Sequence, residues 1–293
     1  MIEYQDLYKE GCAVLQSAGV EEAMLDARLL LEHVCSTNRN DLLVHGDKPV
    51  EEENEEKYRE LLSLRAKRIP LQQITGTQDF MGLSFRVNEH VLIPRQDTEI
   101  LVEEVLRQLH DGMRILDMCT GSGCILISLL HYSNGCEGIG ADISADALQV
   151  ARENAERILS CELACTGDAV CFSGDRVTLV ESDLFTNVTG KFDRIVSNPP
   201  YIKSDVIDTL MPEVREHEPM LALDGREDGL YFYRRIVSES SAYLNGGGML
   251  YFEIGYDQAA EVSALMEEAG FTEIQVVKDY AGLDRVVYGT WMK

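Results

Sequence analysis

From about residue 113 onward, short apolar runs alternate with helical repeats, and this alternation constrains the fold more than any other feature of the chain. Arg114–Asp117, Gly138–Asp142, Val177–Val180, Arg194–Ser197 and Met249–Ile254 read as strands. Between them, Ile125–Leu130 begins a buried helix. Ala147, Leu148, Ala151, Ala155 and Ile158 recur on one helical face, and so do Leu230, Tyr233, Ile236 and Val237. Strands separated by helical crossovers must run parallel, with helices covering the faces of the sheet. Ile274–Val277 and Arg285–Tyr288 flank a turn at Gly282, and this last pair can close the sheet antiparallel. The expected class is α/β, with a Rossmann-like sheet.

The first 70 residues differ in character. Leu25, Leu29, Leu30 and His33 fall at helical spacing, as do Tyr58, Leu61 and Leu62, which predicts a small helical domain over 1–70 ending at Pro70. Glu51–Glu53 after Pro49 place negative charge where a helix N-terminus favours it. Over 71–93, Phe80, Leu83, Phe85, Val87, Val91 and Ile93 are interspersed with Gly82 and Asn88, which predicts a β-hairpin linker. The main domain is then 94–293, entered through a helix that Asp97 can cap. The segment between Ile158 and Val177 is rich in Cys, Ser and Gly and longer than the usual connection. No role is assigned to it.

Composition matters where it excludes. Lys and Arg number 26 against 51 Asp and Glu, a net charge of −25, and neither the first 90 residues nor the remainder is basic. Such a field repels a polyanion, so nucleic acid is a poor partner and a basic protein a better one. No run approaches the roughly 20 apolar residues of a membrane span. The segment Met1-Ile2-Glu3-Tyr4-Gln5-Asp6 lacks the basic and apolar stretches of an export signal, so a cytoplasmic protein is expected. Its eight cysteines are then expected to be reduced. Cys161, Cys165 and Cys171 form no CxxC pair and have no nearby His; neither a metal site nor a catalytic thiol is expected.

The segment Asp117-Met118-Cys119-Thr120-Gly121-Ser122-Gly123 follows the first parallel strand and opens a helix. Glycine permits a tight turn and close approach of a ligand. A dinucleotide fingerprint requires a third glycine where Leu126 stands, which disfavours NAD and FAD. Cys119, Thr120, Gly121, Ser122 and Gly123 are therefore candidate contacts for a different adenosine cofactor. Asp142 ends the second strand, where a carboxylate accepts from a ribose diol; the alternative is a cap for the helix starting at Ser144. Asp183 is placed to accept from an adenine amino group or to serve as a plain turn aspartate. Leu184 and Phe185 offer apolar contact to the ring.

Asn198-Pro199-Pro200-Tyr201 ends the fourth strand, in the crevice where open α/β sheets bind ligands. An amide nitrogen is a poor nucleophile because its lone pair is delocalised into the carbonyl. The Asn198 side-chain oxygen and the Pro199 carbonyl supply two acceptors for its hydrogens. Two prolines hold those acceptors in place. Tyr201 can stack on the planar group. The pattern suits methylation of an amide or exocyclic amino nitrogen by S-adenosylmethionine, with no metal and no covalent enzyme intermediate.

At these residues the chain resembles the release-factor glutamine N(5)-methyltransferases, nearly end to end. The likeness includes Leu92-Ile93-Pro94-Arg95, the glycine turn, Asn198–Tyr201, Glu218-Pro219 and Ala222-Leu223-Asp224-Gly225. It implies a class I methyltransferase fold with a small N-terminal helical domain. It also implies methylation of the glutamine in the Gly-Gly-Gln loop of class I peptide chain release factors. Cofactor contacts carry over to Cys119–Gly123, Asp142, Leu184 and Asn198, and substrate contacts to Asn198, Pro199, Pro200 and Tyr201. Two departures stand out: Gln96 where the family often has proline, and Met118-Cys119 in place of Leu-Gly. The rival readings are an adenine N6-methyltransferase acting on nucleic acid, which shares the tetrapeptide, and a non-catalytic cofactor-binding adapter.

Overall fold

A computed structural model of the chain describes residues 2–165 and 171–293. They divide into two compact units, one of residues 2–77 with 211–217 and one of 78–165, 171–210 and 218–293. Among the described residues no helix is long and apolar enough to cross a membrane.

The first unit is helical: α1 Tyr4–Ser17, α2 Ala23–Cys35, α3 Arg39–Val44, α4 Glu52–Ala66 and α5 Leu71–Thr75. Leu7, Leu15, Leu30, Leu31, Tyr58 and Leu62 form its core, and the Tyr58 hydroxyl donates to the Ala27 carbonyl at 3.0 Å. Glu52, Glu53 and Glu55 occupy the first turn of α4, where the helix dipole favours them. Pro70 does not end the last helix. α4 stops at Ala66, and Pro70 caps α5 at its N-terminus, a position that needs no backbone N–H. Residues 211–217 are bound to this unit by charge. Arg65 Nε donates to Asp26 at 2.7 Å and its Nη2 to Glu213 at 2.8 Å, while Arg68 grips both Glu213 oxygens at 2.6 Å. Burial alone raises the Glu213 carboxyl, but these arginines hold it down at about 2.

The second unit opens with the hairpin β1 Thr77–Phe80 and β2 Leu83–Arg86, followed by α6 Gln96–Arg107. α6 begins one residue before Asp97, so Asp97 lies in the first turn and pairs with Arg285 at 3.3 Å rather than capping the helix. Next come β3 Arg114–Met118, α7 Cys124–His131, β4 Glu137–Asp142 and α8 Ala145–Ile158. The cysteine-containing segment contributes two short strands, β5 Ala164–Cys165 and β6 Cys171–Ser173, paired antiparallel; its residues 166–170 lie outside the described residues. Then follow β7 Val177–Glu181, β8 Phe192–Ser197, the short helices α9 Ser204–Ile207 and α11 Met220–Leu223, and α12 Tyr231–Ser240, with α10 Pro212–Arg215, between α9 and α11, belonging to the first unit. β9 Leu244–Glu253, α13 Ala259–Ala269, β10 Thr272–Lys278 and β11 Asp284–Trp291 complete the chain.

The large sheet has the order β10-β11-β9-β8-β3-β4-β7-β6-β5. Strands β9, β8, β3, β4 and β7 are parallel, and β10, β11, β6 and β5 add antiparallel margins. Successive strand residues point to opposite faces. Accordingly Ile115, Val196 and Val286 join the core beneath α6, α7 and α8, and Leu116, Ile195 and Val287 join the core beneath α12 and α13. The chain moves outward from β3 to β4 and β7, then returns to β8 on the other side. This reversal opens a crevice at the carboxyl ends of β3 and β8.

Candidate active site

A cavity of about 260 Å³ occupies that crevice, and its wall holds Cys119, Thr120, Gly121, Ser122, Asp142, Asp183, Leu184, Asn198 and Pro200. Gly123, Pro199 and Tyr201 are not in the wall. The turn after β3 uses left-handed backbone at Cys119 (φ +62°), Gly121 (+54°) and Gly123 (+78°). The two glycines differ in purpose. A Cβ on Gly121 would meet nothing within 4 Å, so open space faces that backbone. A Cβ on Gly123 would lie 2.7 Å from Ile127 Cδ1 and 3.3 Å from Ala151 Cβ, so Gly123 permits helix packing. Cys119 has no such freedom and holds a strained conformation.

Below the turn lies Asp117, a fully buried carboxyl whose role no local pattern in the sequence reveals. Its Oδ2 accepts from Thr120 Oγ1 at 2.6 Å and from the Leu126 N–H at 3.3 Å, while Oδ1 has no partner among the described residues. Burial pushes the carboxyl up to about 7 against the lowering effect of those bonds. Asp142 accepts from the Gly121 N–H at 2.8 Å and the Ser144 N–H at 2.9 Å. Ser144 itself caps α8 through its hydroxyl, so Asp142 is not the helix cap. Burial raises the Asp142 carboxyl, and its backbone donors oppose that shift. Asp183 is exposed, and its Oδ1 accepts from Arg235 Nη1 at 2.8 Å. Leu184 reaches the cavity, whereas Phe185 turns into the core and stacks on Tyr243 with centroids 4.5 Å apart.

At the end of β8, Asn198 Nδ2 donates to Thr98 Oγ1 at 3.4 Å. That contact leaves Oδ1 as the acceptor the side chain can offer a ligand. Pro199 is buried. Tyr201 packs at the edge of the core on the α12 side, with its hydroxyl donating to Glu253 Oε1 at 3.4 Å. Glu253 is 2% exposed, and its Oε2 has no partner among the described residues. Burial pushes its carboxyl up to about 7, against the Thr98 hydrogen bond and the charge of Arg285. Thr98 and Glu253 are thus part of the site's support, and nothing in the sequence pattern singled them out.

Two segments that carried the resemblance come together. Arg95 Nη2 donates to both oxygens of Glu218, at 2.8 and 2.6 Å, and the Glu218 side chain is 1% exposed. Pro94, Arg95, Pro219 and Ala222 share the cavity wall. Among the described residues, no group of three or more His, Cys, Asp or Glu is arranged to hold a metal.

Comparison with known proteins identifies the family. The family model of the PrmC N-terminal domain matches residues 6–76, and that of the methyltransferase small domain matches 95–214. The chain is 43% identical to the release factor glutamine methyltransferase of Clostridium botulinum, over 97% of each chain. It is 44% identical to that of Geobacter sulfurreducens, over 94% of this chain and 92% of that one. A methyltransferase structure from Pyrococcus furiosus shares the fold, with a TM-score of 0.52 at 16% identity, covering 79% of this chain and 99% of that one.

Proposed function

This chain belongs to the release factor glutamine methyltransferase family, and on that premise we propose that it methylates the side-chain amide nitrogen of a release-factor glutamine, using S-adenosylmethionine. The glutamine is that of the Gly-Gly-Gln loop of class I peptide chain release factors. The observation that carries this reading is the Asn198 amide, oriented by Thr98 in the wall of the cavity that the Gly121 turn also lines.

The cavity suits the cofactor. Open space before the Gly121 backbone admits a ligand where a side chain would intrude. Asp142, anchored by two backbone donors, keeps lone pairs for a ribose diol. Leu184 supplies an apolar wall for the base, with Asp183 at its edge. Bound there, S-adenosylmethionine supplies an electrophilic methyl group on a positively charged sulfur.

Asn198 Oδ1 and the Pro199 carbonyl accept the two amide hydrogens of the glutamine. This draws the nitrogen out of conjugation and aims its lone pair. Positioning of this kind accounts for large rate factors without metal or covalent chemistry. Tyr201 lies outside the cavity wall with its hydroxyl on Glu253, and we assign it to holding the Asn-Pro-Pro segment rather than to contact with the amide. The helical domain over 1–70 has no reaction chemistry of its own, and we assign it to docking the protein substrate. A net charge of −25 suits a basic protein partner better than nucleic acid, and the setting is cytoplasmic.

The test offers purified release factor, double- and single-stranded nucleic acid, and no substrate in parallel, with labelled S-adenosylmethionine. Peptide mass spectrometry should find one methyl group on the glutamine of the Gly-Gly-Gln loop. Label on nucleic acid alone would favour the adenine reading, and label on neither the adapter reading.

A further inference from the structure

Gln258, just before α13, has a 5% exposed side chain whose polar atoms are all engaged. Its Nε2 donates to the Tyr201 carbonyl at 3.1 Å and the Gly229 carbonyl at 3.3 Å. Its Oε1 accepts from the Gly255 N–H at 2.9 Å and contacts the Tyr233 hydroxyl at 3.4 Å. One amide therefore ties the end of the Asn-Pro-Pro-Tyr segment to the loop before α12 and to the loop after β9.

The loop before α12 is shaped for the same purpose. The Ile202 N–H donates to Leu223 at 3.1 Å and the Gly225 N–H donates to Ile202 at 2.8 Å, a parallel bridge outside the large sheet. A Cβ on Gly225 would lie 2.7 Å from Tyr201 Cα. One on Gly229, where φ is +74°, would lie 2.4 Å from the Tyr201 oxygen and 2.7 Å from Gln258 Nε2. Both glycines are required by the close approach of Tyr201. This accounts for Gly225 at the end of the Ala222–Gly225 segment.

We propose that Gln258 is a positioning residue for methyl transfer, fixing Tyr201 so that the Pro199 carbonyl and Asn198 are held from both sides. Upstream, Ser197 lies in β8, paired with Met118 and Phe252. Downstream, the Tyr201 carbonyl is held by Gln258 and its hydroxyl by Glu253. Between these anchors stand two prolines with fixed φ, so the segment has little freedom left. The inference rests on the function proposed above, but the anchoring itself can be measured without turnover.

Gln258→Met keeps the shape and removes the amide's donors and its acceptor; Gln258→Glu keeps the shape and the acceptor for Gly255 but turns a second carboxyl oxygen toward the two carbonyls. Hydrogen exchange is followed at the Ile202 and Gly225 amides. Single-turnover transfer to release factor and the cofactor Kd are measured in the same folded proteins. Exchange at both amides should quicken by about tenfold or more. Transfer at saturating substrate should fall about 100-fold, further in Gln258→Glu than in Gln258→Met. The cofactor Kd should change less than about twofold, because Gln258 is not in the cavity wall. Parental exchange and parental transfer in both variants would overturn the proposal, as would equal losses of rate and cofactor affinity. If the parent fails to methylate release factor, the functional reading falls, and the exchange rates still decide whether Gln258 anchors Tyr201.

Discussion

Replacing Glu253 with Gln should alter the dependence of stability on pH in a calculable way. The Glu253 carboxyl is buried, with Tyr201 on Oε1, the Thr98 hydroxyl beside it, and Oε2 without a partner among the described residues. Arg285, the nearby cation, already binds Asp279 at 2.9 Å and Asp97 at 3.3 Å. Burial therefore dominates, and the carboxyl titrates at about 7 instead of 4.5. Between those values the folded chain holds a proton that the unfolded chain has released. The contribution to stability is thus complete below about pH 4.5 and is lost as pH rises through about 7. At about 1.4 kcal/mol per pH unit, the interval corresponds to about 3 kcal/mol. Gln does not ionise, but its NH2 enters a site with no acceptor, at a cost of about 1–2 kcal/mol. The variant should therefore be less stable than the parent at pH 4 and more stable at pH 8, the curves crossing between about pH 5 and 6. Urea unfolding at several pH values measures this directly. Parallel stability curves for the two proteins would show that Glu253 is ionised throughout and that the burial argument fails.

Three further predictions concern the turn, the cofactor and the helical unit. Asp142→Ala should weaken S-adenosylmethionine binding by about 1.5–3 kcal/mol, the value of hydrogen bonds to a charged acceptor, as read by calorimetric titration. Cys119→Gly should stabilise the fold by about 1 kcal/mol by relieving the left-handed strain at φ +62°; an unchanged urea midpoint would mean that the thiol's packing offsets the strain. Arg65→Met leaves buried Asp26 without its arginine and Glu213 with Arg68 alone, and should cost about 3 kcal/mol or more in thermal or urea unfolding.

Much of this architecture was legible in the sequence because its signals are local. The five parallel strands are apolar runs because helices cover both faces of the sheet, and Gly121, Asp142 and Asn198 sit where such strands end. Other parts lack a local signal. α13 presents only Ala259, Val262 and Met266 to the core, too few for a clear helical repeat. β5 and β6 have two and three residues, below the length at which alternation can be seen. Residues 211–217 join the helical unit through Glu213, an ion-pair partner some 145 positions from Arg68, and no periodicity reports such a pairing. Thr98 and Gln258 read as ordinary polar residues of a helix and a loop. Their roles exist only once β8 and β9 lie side by side, with Asn198 beside one and Tyr201 folded back toward the other. Phe185 shows the opposite case: its place beside Leu184 predicts contact with the ring of the cofactor, while Tyr243 gives it a stacking partner in the core.

The central claim is that Asn198 acts on the transferring nitrogen and not merely on cofactor binding. Single-turnover methylation of a release factor by Asn198→Ala, with cofactor affinity measured on the same folded protein, tests it most directly. Loss of the Oδ1 acceptor leaves one amide hydrogen of the glutamine unpaired and the nitrogen free to turn out of line. The rate should fall by about 100-fold or more, while S-adenosylmethionine binding weakens only severalfold. A folded Asn198→Ala protein that transfers methyl at the parental rate would place the reaction centre elsewhere and contradict this account.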